Sequence, residues 1–313
     1  MLIAGPNLTI DRTLTGGELR PGAVLRFAAR VTPGGKGLNV ARGIQELGGS
    51  AALVAFLPGH LGAAAAAMIA EEGIALLGVR CGGELRSTAV ILEPGGRSTV
   101  INEAGPEIAP EEWGRYEQRV AEALAGERLL ACSGSLPPGA PADAYGRLCG
   151  LAQRRGALCI VDGPGAALRE ALAARPDVVC PNVAEAELAL GAGDGSEPVE
   201  ASADSEPRAL AAATALVGRG AQAAIVTAAA AGAALAHSGD AVWLPAPRVD
   251  VRNPIGAGDA LVAGLAVALS RGVPLADAAR EGMAAAAASV EHEHAGRLDA
   301  ARARELVGSI RAG

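Results

Sequence analysis

The segment from Arg252 to Gly272, RNPIGAGDALVAGLAVALSRG, limits the folds open to this chain more than any other stretch. From Ala260 onward almost nothing polar interrupts it, and a helix that is apolar on every face has to be buried. No apolar run approaches the ~18 residues that a membrane span needs, so the expected burial is inside a globular core. Gly272, with Pro274 just beyond, marks the end of the helix. Ahead of it, Val249 and Val251 alternate with charged neighbours as a strand end does. Pro254 would stop that strand, and Gly256-Ala257-Gly258 permits a sharp turn. Strand, glycine turn and buried helix together aim unpaired N–H groups and the positive end of the helix dipole into one small volume. One carboxylate, Asp259, stands at its mouth. Such a place binds anions or stabilises charge that develops during a reaction. The alternative is that Asp259 only caps the helix, although the capping-box position three residues on holds Val262.

Composition agrees with a sizeable core. Of 313 residues half are hydrophobic and only 2% aromatic, so the core must be built from Ala, Val, Leu and Ile. That length suits one large α/β domain or two smaller ones. A net charge of −7 argues against non-specific nucleic-acid binding, which needs a basic face. Cys81, Cys132, Cys149, Cys159 and Cys180 show no C-x-x-C pairing and are odd in number. They read as small buried apolar residues in a reducing cytoplasm, not as a disulfide frame or a zinc site. The amino end lacks a basic leader with a long apolar core, so no signal peptide is expected. The reading is of a cytoplasmic protein with neither membrane nor nucleic acid as partner.

Short apolar runs punctuate the chain: LIA near the start, AALVAF (51–56), LLACS (129–133), LCIVD (158–162), VVC (178–180) and AAIVT (223–227). Helical stretches separate most of them, which implies a mostly parallel sheet covered on both faces. Two stretches, 13–30 and 81–101, instead carry Gly-Gly turns and alternating residues, with EPGG as a hairpin turn. They predict a small separate β-sheet. The expected division is a main α/β body of residues 1–12, 31–79 and 103–313 and a β-lid of residues 13–30 and 80–102. The acidic patch from Gly191 to Pro207, rich in Gly, Asp and Ser, reads as a mobile surface loop.

A second glycine-rich segment is VTPGGKGLNVARGIQELGG, from Val31 to Gly49. It places Lys36 on a glycine turn at a helix start, where a cation opposes the dipole and an anionic partner would relieve it. Otherwise Lys36 simply points to solvent. The loop is not a P-loop, since the leading glycine and the Ser/Thr after the lysine are missing, and G-x-G-x-x-G occurs in neither glycine turn. In CPNVAEAE, Asn182 and Glu185 are three apart and share a helical face. The pair could order Mg²⁺ and its waters or could merely start a helix. EHEH at Glu291–His294 reads as polar surface.

Together these residues resemble the PfkB (ribokinase-like) family of sugar kinases. PGGKGLNVARGIQELGG and NPIGAGDALVAGLAVAL look like its two signature regions. SGSLPPG (133–139) and PNVAE (181–185) match between them in the right order, and with NLTID near the start the similarity spans nearly the whole chain. The lysine of the first motif, SGSLPPG and INEAGPEI resemble the 1-phosphofructokinase and tagatose-6-phosphate kinase branch. The resemblance implies a three-layer αβα body around a central, mostly parallel sheet, with a small β-sheet lid. It implies transfer of the ATP γ-phosphoryl group to a hydroxyl of fructose 1-phosphate, fructose 6-phosphate or tagatose 6-phosphate. Asp259 would be the general base, and the amides of Gly256, Ala257 and Gly258 would stabilise the moving phosphoryl group. Asp11, Gly35 and Asn39 would contact sugar hydroxyls, while Lys36 and Arg86, with Arg26, would grip the phosphate already on the sugar. Asn182 and Glu185 would organise Mg²⁺ through water, and Thr227 and Gly232 would hold ATP phosphates and ribose. A homodimer through the β-lid is expected, because a small sheet leaves one face to cover.

Three positions depart from the family pattern: Cys180 where a lysine is common, Ala229 where a glycine is common, and Leu8 where a proline is usual. The first two bear on ATP binding. Two other functions compete with the sugar-phosphate kinase. One is a kinase of an unphosphorylated sugar or nucleoside, against which Lys36 and Arg86 speak, because a neutral substrate does not repay two buried cations. The other is a sugar-phosphate sensor with weakened turnover, against which the retention of Asp259 and its glycines speaks.

Overall fold

The computed structural model describes residues 1–94, 97–192 and 204–310. In chain order its strands are β1 (Leu2–Ala4), β2 (Thr9–Thr15), β3 (Ala28–Gly34), β4 (Ala52–Phe56), β5 (Ala75–Val79), β6 (Ser87–Leu92), β7 (Ser98–Asn102), β8 (Leu129–Ser133), β9 (Leu158–Asp162), β10 (Val178–Val179), β11 (Ala223–Thr227), β12 (Gly232–His237) and β13 (Asp240–Pro245). The helices are α1 (Lys36–Glu46), α2 (Gly59–Glu71), α3 (Pro110–Ala123), α4 (Ala144–Arg154), α5 (Gly165–Ala171), α6 (Val183–Leu190), α7 (Ser205–Gly218), α8 (Ala257–Ser270), α9 (Leu275–Val290) and α10 (Ala300–Val307).

Nine strands form one sheet in the order β13-β12-β11-β10-β9-β8-β1-β4-β5. Neighbours from β11 to β5 are parallel, and β12 and β13 close one edge as an antiparallel hairpin. Side-chain alternation explains why the central strands read as unbroken apolar runs. Leu2, Ala4, Val54 and Phe56 point into one core, while Ile3, Leu53 and Ala55 point into the other. Helices α3 to α7 fill the first core and α1, α2, α8, α9 and α10 the second, so the central strands are covered on both faces. This is the three-layer αβα arrangement expected from the sequence. The second sheet, β3-β2-β6-β7, stands apart, with β2 and β6 parallel inside two antiparallel pairs.

Helix α8 is buried at every position from Asp259 to Ala268. It packs on α1 and α9 and over β8 and β9. The crossing with α9 is close because both helices offer glycine there. A Cβ on Gly264 would lie 2.8 Å from the Ala285 methyl and 2.9 Å from the Glu281 carbonyl oxygen, and one on Gly282 would lie 2.8 Å from the Leu261 carbonyl oxygen. Among the described residues no helix is long and apolar enough to cross a membrane.

Several expectations need correction. Val249 and Val251 form no strand: the last strand ends at Pro245, and the chain then leaves the sheet to reach α8. There the Arg252 and Asn253 amides both donate to the Val290 carbonyl instead of to a neighbouring strand. Strands β5, β12 and β13 lie outside the six apolar runs; β5 is a half-exposed edge strand, which a search for buried runs passes over. The small sheet takes in Thr9 at one end and Gly34 at the other. In the acidic patch, Ser205–Pro207 begins α7, where the first turn tolerates proline. Residues 193–203 of that patch, and Gly95 and Gly96 of the EPGG turn, lie outside the described residues.

Gly264→Val tests the close crossing. It should lower stability by about 1–3 kcal/mol through overpacking, seen as a lower denaturant midpoint at unchanged slope. An unaltered midpoint would mean that α8 and α9 can separate freely.

Candidate active site

The site lies beyond the carboxyl ends of the parallel strands, where open α/β sheets place ligands. Chain direction diverges between β1, which leads to β4, and β8, which leads to β9, and Asn7 and Ser135 follow these two strands. Asn7 Nδ2 donates to Ser135 Oγ across that gap at 3.0 Å. Ser133 ends β8, Asp162 ends β9 and Thr227 ends β11, so their side chains face the same rim.

Asp259 does not cap α8. The N-cap is Gly256, in a left-handed conformation at φ 87°, and Asp259 is the third helical residue. Its side chain is buried, and Asn39 Nδ2 donates to Asp259 Oδ2 at 2.8 Å. Burial pushes its pKa up to about 7, opposed by the nearby Lys36 charge and the Asn39 hydrogen bond and reinforced by Asp162 and Glu185. Gly256 approaches the 295–296 backbone, where a Cβ would meet Ala295 Cβ at 3.2 Å, whereas a Cβ on Gly258 would meet nothing. Open space therefore lies beside Gly258 at the start of the helix, while the Ala257 amide makes a long bond of 3.4 Å to the Pro254 carbonyl.

Lys36 is the first residue of α1, and its ammonium has anionic company within the protein. Nζ lies 3.3 Å from Glu185 Oε1 and 3.8 Å from Asp162 Oδ1. The Asp162 carboxylate pushes the Lys36 pKa up and Glu185 adds to it, although the side chain keeps 42% of its surface exposed. Asn182 caps α6: the Glu185 amide donates to Asn182 Oδ1 at 2.8 Å and the Asn182 amide to Glu185 Oε2 at 3.0 Å. Burial pushes the Glu185 pKa up, and Lys36 pulls it back. An isolated parallel bridge joins Asn182 to Thr227, bringing the α6 start beside the β11 end. After Thr227 the chain turns through Ala229, whose φ of 48° is a conformation better suited to glycine, into Gly232. Gly232 has no room for a side chain, since a Cβ would stand 2.3 Å from the Leu244 carbonyl oxygen. Ala229 is exposed, so its departure from glycine shows as backbone strain.

Asp11 and Arg86 form a second group, at the root of the small sheet. Asp11 lies over Gly34 so closely that a Cβ there would stand 2.0 Å from Oδ2, and the next residue, Gly35, caps α1 at φ 115°. Oδ1 of Asp11 is buried without a hydrogen-bond partner among the described residues. Burial raises the Asp11 pKa, and Arg86 pulls it down. Arg86 donates to the carbonyls of Leu8 (Nε, 3.2 Å), Asn7 (Nη2, 3.2 Å) and Glu103 (Nη1, 3.4 Å). Lys36 and Arg86 thus keep separate partners, carboxylates for one and chiefly carbonyls for the other. Each cation therefore has partners within the protein before any substrate anion arrives. Arg26 is exposed in the segment before β3.

Asp162 is the residue that sequence reasoning missed. It is buried, accepts a hydrogen bond from Ser133 Oγ at 3.2 Å, and stands beside Lys36. Its signal was present, a carboxylate closing the apolar run LCIVD, but a strand-end aspartate also begins many turns. In the EHEH segment, the His294 ring lies against Arg30 of β3, with Nε2 2.6 Å from Nη1.

Comparison with known proteins bears on this geometry. The profile of the pfkB family carbohydrate kinases matches residues 8–301. A 1-phosphofructokinase of Rhodobacter capsulatus is 37% identical over 279 residues, covering 88% of this chain and 85% of that protein. Phosphofructokinase-2 of Escherichia coli in complex with potassium superposes with a TM-score of 0.87 at 26% identity, over 99% of this chain and 98% of that one. The same enzyme in complex with fructose-6-phosphate superposes with a TM-score of 0.85 at 26% identity, again over 99% and 98%. With its sheet order, its two glycine motifs and the match along nearly its whole length, the chain belongs to the pfkB family of carbohydrate kinases.

Proposed function

We propose that this kinase moves the γ-phosphoryl group of ATP to a free hydroxyl of a ketohexose that already bears a phosphate, giving a bisphosphate. Fructose 1-phosphate heads the candidates, on the likeness to the Rhodobacter 1-phosphofructokinase, ahead of fructose 6-phosphate and tagatose 6-phosphate. The observation that carries the mechanism is Asp259, a buried carboxylate poised near neutrality at the start of a buried helix. Ionised, it takes the proton of the sugar hydroxyl. The alkoxide-like oxygen bonds to the γ-phosphorus as the bond to the β-phosphate bridging oxygen breaks, and ADP leaves. The Gly258 amide, the Ala257 amide once released from its long bond to the Pro254 carbonyl, and the α8 dipole face the charge that develops on the transferring group, while Asp11 orients the sugar through Oδ1.

Glu185, Asn182 and the adjoining Asp162 form an oxygen-only, carboxylate-rich set that suits Mg²⁺ held through water. When bound, the ion would neutralise phosphate charge beside Lys36. Thr227 and Gly232 would line the nucleotide. We assign the small sheet the part of a lid over the sugar and of a homodimer surface, because Val31, Leu92, Val100 and Ile101 on its strands are exposed. A second reading, phosphorylation of a neutral sugar, draws support from the carboxylate partners of Lys36, which stabilise that cation without a substrate anion.

Asp259→Asn should lower kcat by roughly 10²–10⁴-fold with sugar binding nearly intact; wild-type turnover would remove Asp259 from the chemistry. The base must be ionised, so kcat/KM should fall about tenfold per unit as pH drops below its pKa of about 7. The same shift acts on stability. Its folded pKa lies above the ordinary aspartate value of 3.8, so ionisation opposes folding progressively between pH 4 and 7. Asp259→Asn should therefore raise Tm at pH 8 and leave it unchanged near pH 3.

Lys36→Met separates the two substrate readings. If Lys36 grips the sugar phosphate, KM for that substrate rises roughly 10–100-fold with KM for ATP unchanged. If only the acid limb moves to higher pH, Lys36 serves the base, and fructose and its phosphates should then turn over equally. Glu185→Gln should raise the Mg²⁺ concentration needed for half-maximal rate and leave Tm at pH 8 within a few degrees; an unmoved Mg²⁺ titration would take Glu185 out of the metal site.

A further inference from the structure

We infer that Arg42 is a positioning residue for the base: it dictates which side of the Asn39 amide meets Asp259 and ties that amide to the root of the small sheet. The inference rests on Asp259 being the base. An asparagine amide can present either N–H groups or a carbonyl oxygen to a neighbour, and the two are nearly isosteric. Facing a carboxylate, the first stabilises its charge and the second repels it. Asn39 and Arg42 are three apart on α1 and share one face. Arg42 Nη1 donates to Asn39 Oδ1 at 3.1 Å, and Asn39 Nδ2 donates to Asp259 Oδ2 at 2.8 Å. A guanidinium carries donors only, so just the amide oxygen can face it, and the amide N–H groups are left to the base.

Arg42 is itself fixed. It is buried, and Nε and Nη2 each lie 2.6 Å from Glu72, a two-point clasp at the end of α2 that Arg297 Nη2 reinforces at 3.2 Å. Nη2 also donates to the Pro33 carbonyl oxygen at 2.9 Å. Pro33 pairs with Ile10 between β3 and β2 and precedes Gly34, on which the Asp11 carboxylate lies. One buried guanidinium therefore sets the base side of the site in register with its sugar side. Neutralising Glu72 alone would need neither the Asn39 contact nor the Pro33 contact.

A double-mutant cycle tests this, with the pH profile as second readout. Arg42→Met should lower kcat roughly 10–100-fold and leave KM for ATP within about threefold. Asp259 faces Lys36, Asp162, Glu185 and Asn39, and none of these is removed by the substitution. The acid limb of kcat/KM should then move to higher pH, since the carboxylate loses its held N–H donor. In an Asp259→Asn background the same substitution should cost less than about threefold. Full multiplication of the two losses, or an acid limb that stays in place, would overturn the inference while the base assignment stands. Wild-type turnover in Asp259→Asn alone would overturn both. Should Arg42→Met not fold, Arg42→Lys keeps the charge beside Glu72 but cannot span Asn39 and Pro33 together; wild-type kinetics and pH profile in that variant would equally overturn it.

Discussion

The buried hydrogen bond from Asn39 to Asp259, 2.8 Å long, joins α1 to α8, and the chemistry of the site depends on the conditions that make it possible. A carboxylate that is to take a proton near neutrality must be drawn out of water, which raises its pKa, yet must keep enough polar contact to ionise at all. Helix α8 meets the first condition by being buried from Asp259 to Ala268. The nearby Lys36 charge and the single donor from Asn39 meet the second. Close packing makes the juxtaposition rigid. Gly43 of α1 comes so near α8 that a Cβ would lie 2.7 Å from the Ala263 methyl, and Gly37 approaches Gly5 at the end of β1 as tightly.

Charge in the pocket is unequal. Lys36 stands among Asp162, Glu185 and Asp259, one cation against three carboxylates. Both proposed substrates carry phosphate, so such a pocket needs compensation at the places where the phosphates come to rest. The amino terminus of α8 supplies part of it, where open space lies beside Gly258. A divalent cation held by the Asn182–Glu185 end of α6 would supply more, which is why the carboxylate excess is consistent with Mg²⁺-ATP. Lys36 is then a residue with two possible allegiances, to a substrate phosphate or to the carboxylates it already touches.

Much of the fold is legible in the order of residues. The apolar runs LIA, LLACS, LCIVD and AAIVT are strands because both faces of their sheet are covered, which removes the polar alternation that would otherwise hide or mimic them. Strand β5 escaped because it lies at an edge and is half exposed. The alternation at Val249 and Val251 misled because two residues of period two can equally be an extended connection, and a strand needs a neighbour that is absent at that point among the described residues. In the site, glycine turns and an isolated carboxylate pointed to Asp259, but Asp162 and Arg42 looked ordinary.

The local pieces follow from the order of residues alone: which segments alternate strand and helix, where glycine must let the chain turn, and that one helix with an aspartate in its first turn has to be buried. Those depend on residue type and short spacing, which a linear string records. Partnership between distant residues comes from the folded molecule. Asn39 and Asp259 are 220 residues apart, Lys36 and Glu185 149 apart, and Arg42 and Arg297 meet at Glu72 from opposite ends of the chain. Nothing local encodes these pairs. They follow from the order in which nine strands assemble and from which helix ends that order brings to the same rim. The pKa of Asp259 and the company of Lys36 are therefore properties of the folded sheet, because burial and Coulomb interaction depend on distance through space and not along the chain.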